Sequence, residues 1–179
     1  MKTMYAPIVV VGGSLGGTIA AWAAAKCSCG QKVLLLERND RLGKKLLITG
    51  KGRCNVTNNC APAEVLQNVP RNGRFLFSAM DAFPPAKIID FFEENGCPLK
   101  TERGNRVFPV TDRSSSVLDC LTKVMRRSGV TVNTDRVRQI MTDDGSVCGV
   151  RTEREIIRAK WVILATGGVS YPATGSTGD

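Results

Sequence analysis

The most constraining feature of the sequence is a glycine-rich turn placed directly after a run of β-branched residues. Residues 8–11 read IVVV, the pattern of a strand buried on both faces of a parallel sheet, and residues 12–17 read GGSLGG. The Ala-rich segment TIAAWAAAKCSCG follows and predicts a helix that Gly30 would terminate. KVLLLE, ending at Glu37, predicts a second buried strand. These segments predict a β-α-β unit of an α/β fold with a parallel sheet.

The glycine spacing is close to the G-x-G-x-x-G fingerprint of dinucleotide-binding folds. There the first Gly makes the tight turn, the second lets the backbone approach a pyrophosphate, and the third lets the helix pack on the strand. Gly12 and Gly17 fit, whereas Ser14 replaces the middle glycine. The neighbouring Gly13 and Gly16 would relieve the crowding. The predicted helix N-terminus would still offer N–H groups to a diphosphate.

Glu37 supplies the acidic residue that the fingerprint expects about 20 residues after Gly17. Its carboxylate would accept hydrogen bonds from the two ribose hydroxyls of an adenosine. A negative charge at this position disfavours a 2′-phosphate. The pattern therefore favours FAD or NAD over NADP.

Downstream segments alternate between helix and strand signals. Residues 41–62 are rich in Gly, Lys, Arg, Asn and Thr and predict a functional loop that opens with a short helix near Leu46. Apolar spacing and capping residues predict four further helices: about 63–69, about 75–82, from Pro84-Pro85 to Gly96, and from Ser114–Ser116 to Gly129.

The C-terminal third predicts mainly strands. TVNT predicts one strand, and three alternating runs at about 135–158 (VRQIMT, VCGVRT and EIIRA) predict a small antiparallel β-meander with a turn at Asp144-Gly145. WVILAT, residues 161–166, predicts another buried strand that ends on Gly167-Gly168. These glycines would form a second turn at the carboxyl edge of the sheet, where open α/β sheets bind ligands.

Composition excludes some chemistries. The chain has no histidine, so imidazole-based catalysis is excluded for this segment. Its seven cysteines lack C-x-x-C spacing, which favours reduced thiols over metal or redox sites. The net charge is +9, but the basic residues are scattered, as at Arg136 and Arg138. This pattern favours a solvated surface over a polyanion site, so no nucleic-acid partner is expected.

No segment resembles a membrane span or a secretory signal. The longest apolar run, near residues 19–25, is interrupted by Lys26, well short of the roughly 20 residues that a bilayer requires. The N-terminus leads directly into the first strand and lacks a cleavage site. We therefore expect no membrane partner and a cytoplasmic location.

Three separated motifs resemble a known family. They are RLGKKLLITGKGRCNVTNN (41–59), GNRVFPVTDRSSSVLD (104–119) and VILATGGVSYPATGSTGD (162–179). They are similar to the NAD(P)/FAD-dependent oxidoreductases that include aminoacetone oxidase-like flavoproteins and flavoproteins of bile-acid dehydroxylation clusters. The resemblance implies a Rossmann-like FAD-binding domain of the glutathione-reductase type over residues 1–179. That domain would be incomplete, because family members continue into a substrate domain and a last flavin-binding segment.

The resemblance also implies an activity and a set of cofactor-binding residues. FAD would carry a hydride between a small organic substrate and an acceptor, with NAD(P) as a candidate electron partner. Gly12, Gly13, Ser14 and Gly17 would lie at the pyrophosphate and Glu37 at the adenosine ribose, and Gly16 and Arg38 would also bind the cofactor. Lys45, Thr49, Gly50, Gly52, Arg53, Cys54 and Asn55 would line the pyrophosphate and ring side. Val137 would hold adenine through its backbone, and Thr166, Gly167 and Gly168 would form the second flavin-binding turn.

Several alternatives stay open from the sequence. Arg53 and Asn55 could stabilise negative charge on a reduced flavin, or Arg53 could hold carboxylates while Cys54 fills space in a core. The chain could also be a non-catalytic nucleotide-binding or RNA-associated module, motivated by its charge. A third alternative is an inactive fragment that exposes an apolar sheet edge. The substrate, electron acceptor and oligomeric state are not determined.

Overall fold

The computed structural model describes residues 2–175, 177 and 178, and the chain forms two compact units. The first contains residues 2–46 and the described residues from 121 onward, and the second contains residues 47–120. No sequence pattern indicates this subdivision.

Secondary structure alternates along the chain. The strands are β1 (Lys2–Tyr5), β2 (Ile8–Val11), β3 (Val33–Glu37), β4 (Thr57–Asn58), β5 (Leu99–Glu102), β6 (Arg106–Pro109), β7 (Thr131–Thr134), β8 (Val137–Asp143), β9 (Ser146–Thr152), β10 (Glu155–Arg158) and β11 (Trp161–Leu164). The helices are α1 (Leu15–Cys27), α2 (Lys44–Ile48), α3 (Pro62–Gln67), α4 (Phe77–Ala82), α5 (Pro85–Glu94) and α6 (Ser114–Arg127). Short 3₁₀ helices span Thr49–Gly52, Gly73–Leu76 and Pro172–Thr174.

A four-stranded parallel sheet forms the centre of the first unit, in the order β11-β2-β3-β7. On one face, Val10 and Leu35 pack with Ala21 of α1 and Met125 of α6. On the other face, alternate residues of the same strands pack on the meander. Burial on both faces explains why IVVV and VLLLE lack polar alternation, and it confirms the predicted β-α-β unit.

The predicted β-meander is confirmed. β8, β9 and β10 pair antiparallel, and β1 adds to the outer edge as a parallel partner of β10. Asp144 and Gly145 both have positive φ in the turn between β8 and β9, as a tight hairpin requires. Val150 and Ile157 are fully buried against the parallel sheet. The meander therefore covers one face of that sheet.

The prediction of a buried strand at residues 161–166 is wrong in one respect. β11 forms as expected and pairs with β2, but Trp161 and Leu164 are each 59% exposed. Within the described residues, β11 lies at the sheet edge, so only one side of the strand has a hydrogen-bonded neighbour. The apolar run predicts the strand correctly but does not predict that the strand lies at the edge of the sheet.

The second unit combines helices with a small antiparallel sheet, β4-β6-β5. Phe91 and Phe92 of α5 are buried and meet edge to face with ring centroids 5.1 Å apart. Val107 and Phe108 of β6 are buried as well. The predicted helix after Pro84 is confirmed, whereas no sequence pattern predicts this sheet. No helix of the described residues is long and apolar enough to cross a membrane.

Candidate functional site

A cavity of about 350 Å³ opens in the first unit where β2, β3 and β11 end. The carboxyl ends of parallel strands share one edge of a sheet, so the residues that follow these strands converge there. The cavity is lined by four groups of residues: the glycine turn with its neighbours, the end of β3 with the start of α2, the start of β8, and residues from the end of β11 onward. Thr166, Thr174 and Gly175 line it from the C-terminal side.

Steric contacts explain the glycines of the first turn. Gly12 has φ +106°, and a Cβ there would lie 2.4 Å from the Ala165 carbonyl oxygen. A Cβ on Gly17 would lie 1.7 Å from the Gly12 carbonyl oxygen, and one on Gly13 would lie 2.3 Å from Leu42 Cδ2. A Cβ on Gly16 would meet nothing within 4 Å. Backbone atoms therefore exclude a side chain at Gly12 and Gly17, the Leu42 side chain would have to move to admit one at Gly13, and Gly16 has open space.

Ser14 occupies the position just before α1 and lines the cavity. Its backbone is extended, with φ −82° and ψ −173°, and its side chain makes no capping hydrogen bond. The first intrahelical bond runs from Thr18 N to Ser14 O over 2.9 Å. The N–H groups ahead of Thr18 have no partner within the helix, so this end of α1 can donate hydrogen bonds to an anion.

Glu37 is held in place by backbone and side-chain donors. Its side chain is only 7% exposed. Gly13 N donates to Oε2 over 2.6 Å, and Asn39 donates to Oε1 from its backbone N over 2.8 Å and from Nδ2 over 2.6 Å. These bonds join the end of β3 to the glycine turn and present an acceptor group at the cavity wall.

Positive charge exceeds negative charge around the cavity. The cationic lining residues are Arg38, Lys44, Lys45, Arg136 and Arg138, and the acidic ones are Glu37 and Asp135. Lys44 pairs with Asp40 and Arg138 with Glu153. The cationic lining residues and the N-terminus of α1 together suit a diphosphate.

The cavity brings together eight of the predicted cofactor-binding residues: Gly12, Gly13, Ser14, Glu37, Arg38, Lys45, Val137 and Thr166. Gly16, Gly17, Gly167 and Gly168 are not in its lining. Gly17 instead lies against the Gly12 carbonyl, the helix–strand packing role of the third fingerprint glycine. Gly167 has φ +82° in the turn that follows β11.

Three further residues line the cavity that the sequence patterns did not single out as cofactor-binding. Asn39 bonds Glu37, and Arg136 and Arg138 flank Val137 at the start of β8. The β8–β9 register shifts between Val137 and Gln139, so Arg138 lies in a β-bulge, a feature that redirects side chains. Both arginines are exposed, as the predicted solvated surface implies, and they line the cavity as well.

The other predicted residues, Thr49 to Asn55, belong to the second unit. Gly50, Lys51, Gly52 and Cys54 all have positive φ, an unusual concentration for five consecutive positions. Left-handed backbone is costly for Lys and Cys, so the surrounding structure must hold it in place.

Arg53 supplies part of that support. Its guanidinium bonds both carboxylate oxygens of Glu102, bonds Asp112 Oδ1, and lies 4.1 Å from the Phe108 ring centroid. The hydrogen bonds to Glu102, and to a smaller extent those to Asp112, raise the pKa of Arg53. Two carboxylates thus compensate its charge, in agreement with the alternative in which Arg53 holds carboxylates.

Cys54 is 5% exposed, and burial raises the pKa of its thiol. A raised pKa leaves less reactive thiolate, as in a cysteine that fills space in a core. Burial also raises the pKa of Cys97 to about 11. In the described part of the chain, no group of three or more Cys, Asp or Glu side chains is arranged to hold a metal ion.

The strand order, glycine turn and buried glutamate define a Rossmann-type nucleotide-binding domain of the kind found in FAD-dependent flavoproteins. Residues 6–179 match the family described as HI0933-like protein Rossmann domain, and the chain belongs to this family. The predicted fold class and family resemblance are therefore confirmed.

Curated relatives are longer than this chain. The 3-dehydro-bile acid delta(4,6)-reductase of Clostridium scindens is 34% identical over 173 residues, which span 96% of this chain and 41% of that protein. The ribosomal RNA dihydrouridine synthase of Escherichia coli is 24% identical over 170 residues, 94% of this chain and 41% of that protein. The chain thus spans about two fifths of these relatives.

A solved structure agrees on the fold. Quinol fumarate reductase FrdA of Escherichia coli superimposes with a TM-score of 0.72 at 22% identity, covering 94% of this chain and 34% of that chain. At this identity the match bears on the fold alone.

Proposed function

We propose that this chain is the FAD-binding part of a flavoprotein oxidoreductase that transfers a hydride between a small organic substrate and an acceptor. NAD(P) is the electron partner we consider first. The observation that carries the proposal is the hydrogen bond from Gly13 N to the buried carboxylate of Glu37. It holds an acceptor for ribose hydroxyls beside the helix N-terminus that would receive a pyrophosphate.

Different residues of the cavity would bind different parts of the nucleotide. Glu37 would accept hydrogen bonds from the adenosine ribose, and the N–H groups at the start of α1 would donate to the diphosphate. Arg38 and Lys45 would add positive charge beside it. The backbone of Val137 would contact adenine. FAD, when bound, supplies the two-electron chemistry, so this part of the chain needs no nucleophile of its own.

The decisive test is the visible absorption spectrum of the purified chain after FAD is added and gel filtration removes free flavin. We expect flavin absorbance to elute with the protein. Glu37→Gln should weaken FAD binding roughly tenfold or more, because the charged acceptor is lost. Asp143→Asn removes the same charge from an exposed position of the meander and should bind FAD like the unaltered chain. Equal affinity in the two variants would contradict the role of Glu37.

A second candidate is an RNA-modifying flavoprotein. The similarity to ribosomal RNA dihydrouridine synthases and the net charge of +9 favour it. Binding of a ribosomal RNA fragment that weakens steeply with salt would support this candidate. Tight FAD binding together with no RNA binding at low salt would favour a small-molecule substrate instead.

A further inference from the structure

The acceptor positions of Glu37 are nearly filled in the structure. A carboxylate offers about four lone-pair positions. Donors within the described residues use three: Oε2 accepts Gly13 N, and Oε1 accepts both the backbone N and Nδ2 of Asn39. A ribose diol that donates two hydrogen bonds to Glu37 therefore finds one position open. One of the present donors must leave when a ribose binds.

Asn39 Nδ2 is the donor that can leave. The N–H groups of Gly13 and Asn39 are fixed by the backbone, whereas the Asn39 carboxamide can rotate about its side-chain torsions. Its departure would free a second position on Oε1 and leave two backbone donors to orient Glu37.

The same carboxamide also contacts the C-terminal segment at residues 170–175. Asn39 Nδ2 lies 3.4 Å from the Thr174 carbonyl oxygen. The neighbouring Arg38 donates to the Gly175 carbonyl, and Lys45 Nζ donates to the Ser170 carbonyl over 3.0 Å. Three side chains that line the cavity thus bind backbone carbonyls of one segment.

Gly175 packs tightly against Asn39. It has φ +98°, and a Cβ at this position would lie 2.7 Å from Asn39 Nδ2. Any larger residue would have to displace the carboxamide or the segment. This contact gives a way to disturb the segment without changing a residue of the glycine turn or Glu37.

We infer that Asn39 is a positioning residue that couples the ribose end of the cavity to residues 170–175. Without nucleotide, its carboxamide occupies Glu37 Oε1 and bonds the segment. A bound ribose takes its place on Glu37, which weakens the attachment of the segment. Since coupling is reciprocal, loosening the segment must also strengthen nucleotide binding. This inference rests on the proposed nucleotide site, where the Asn39 carboxamide would compete with the ribose for Glu37 Oε1.

The first experiment compares the unaltered chain with Asn39→Ala, titrated calorimetrically with ADP and with 2′,3′-dideoxy-ADP. Loss of one competing hydrogen bond should tighten ADP binding roughly fivefold. It should change the affinity for the dideoxy compound much less, since that ligand lacks the ribose hydroxyls that would donate to Glu37. Weaker ADP binding by the variant would mean that Asn39 holds the ligand directly and would overturn the inference.

The second experiment alters the segment itself. Gly175→Ala should raise ADP affinity and speed amide hydrogen exchange at residues 171–175 in the ligand-free chain. Gly30→Ala is the matched control, because Gly30 also has positive φ but open space around its Cβ position. It should leave both quantities unchanged. Lower ADP affinity in Gly175→Ala alone would assign the segment to the binding surface and overturn the coupling.

The two failures can be distinguished. If the unaltered chain and every variant bind neither ADP nor FAD, the proposed function is wrong, and the coupling fails with it. If ADP binds the unaltered chain and Asn39→Ala equally well, only the coupling is wrong.

Discussion

The cavity of the first unit and the loop at residues 49–55 of the second unit both contain cationic side chains. The two regions differ in how many carboxylates balance that positive charge. Around the cavity, the described lining residues include five cationic side chains and two carboxylates, and Lys44 and Arg138 pair with carboxylates outside the lining. Beside the loop, two cationic side chains, Arg53 and Lys100, face two carboxylates, Glu102 and Asp112. Surplus positive charge attracts an anionic ligand, whereas compensated charge fixes polypeptide segments. The residue types are similar, and the balance of their charges differs between the two regions.

The two regions also differ in which residues adopt positive φ: a glycine in the turn at the cavity, but also non-glycine residues in the loop. In the cavity, Gly12 adopts positive φ where a side chain would also collide with Ala165. In the loop, Lys51 and Cys54 adopt left-handed backbone at a cost of about 1–2 kcal/mol each. Glycine keeps the first turn open for a close approach, while the loop depends on bonds such as those of Arg53.

The largest expected effect tests the steric account of the glycine turn. Gly17→Ala places a Cβ against the Gly12 carbonyl and should lower the free energy of unfolding by about 3 kcal/mol or more, with loss of FAD retention. Gly16→Ala, one residue away in open space, should be neutral or slightly stabilising in the helix. Denaturant titration and flavin retention measure both. Similar losses in the two variants would show that the turn responds to any side chain.

The next effect tests charge compensation in the loop region. Hydrogen bonds from Lys100 and Arg53 lower the pKa of Asp112 below its ordinary 3.8. A lowered folded-state pKa stabilises the protein at pH above the unfolded value, and this contribution is lost as pH falls through the folded value. We expect Asp112→Asn to be less stable at neutral pH and to lose less of its remaining stability on acidification below about pH 4.

Urea unfolding at neutral and acidic pH checks this expectation. Asp119→Asn, an exposed change on α6, serves as the control. Identical pH profiles for Asp112→Asn and the unaltered chain would contradict compensation by Asp112.

The smallest effect concerns Ser14. Its side chain lines the cavity without capping α1. If it crowds the pyrophosphate, Ser14→Gly should tighten FAD binding roughly threefold, since glycine lets the backbone approach the ligand. Ser28→Gly at the other end of α1 should not change the affinity. Flavin fluorescence titration measures both, and unchanged or weaker binding by Ser14→Gly would disprove the crowding.

Local patterns were enough to predict much of the fold. β-branched runs predicted β2 and β3, apolar spacing predicted α6, and the Asp144-Gly145 turn predicted the hairpin of β8 and β9. The sheet of β4, β5 and β6 could not be predicted this way. Its strands are two to four residues long, and LKTE and RVFP carry no clear alternation. They become strands only through pairing with each other.

The sequence by itself determined the β-α-β unit, the glycines of its turn and Glu37 as the acidic partner, because turn sterics and strand burial act over neighbouring residues. Tertiary structure decided which polar groups meet. Gly13 and Glu37 bond across 24 residues, and Arg38 reaches Gly175 across 137. Strand order and register bring residues so far apart in the sequence together, and no local pattern encodes these contacts. The same holds for the placement of Arg136 and Arg138 around the cavity and for the carboxylates that surround Arg53.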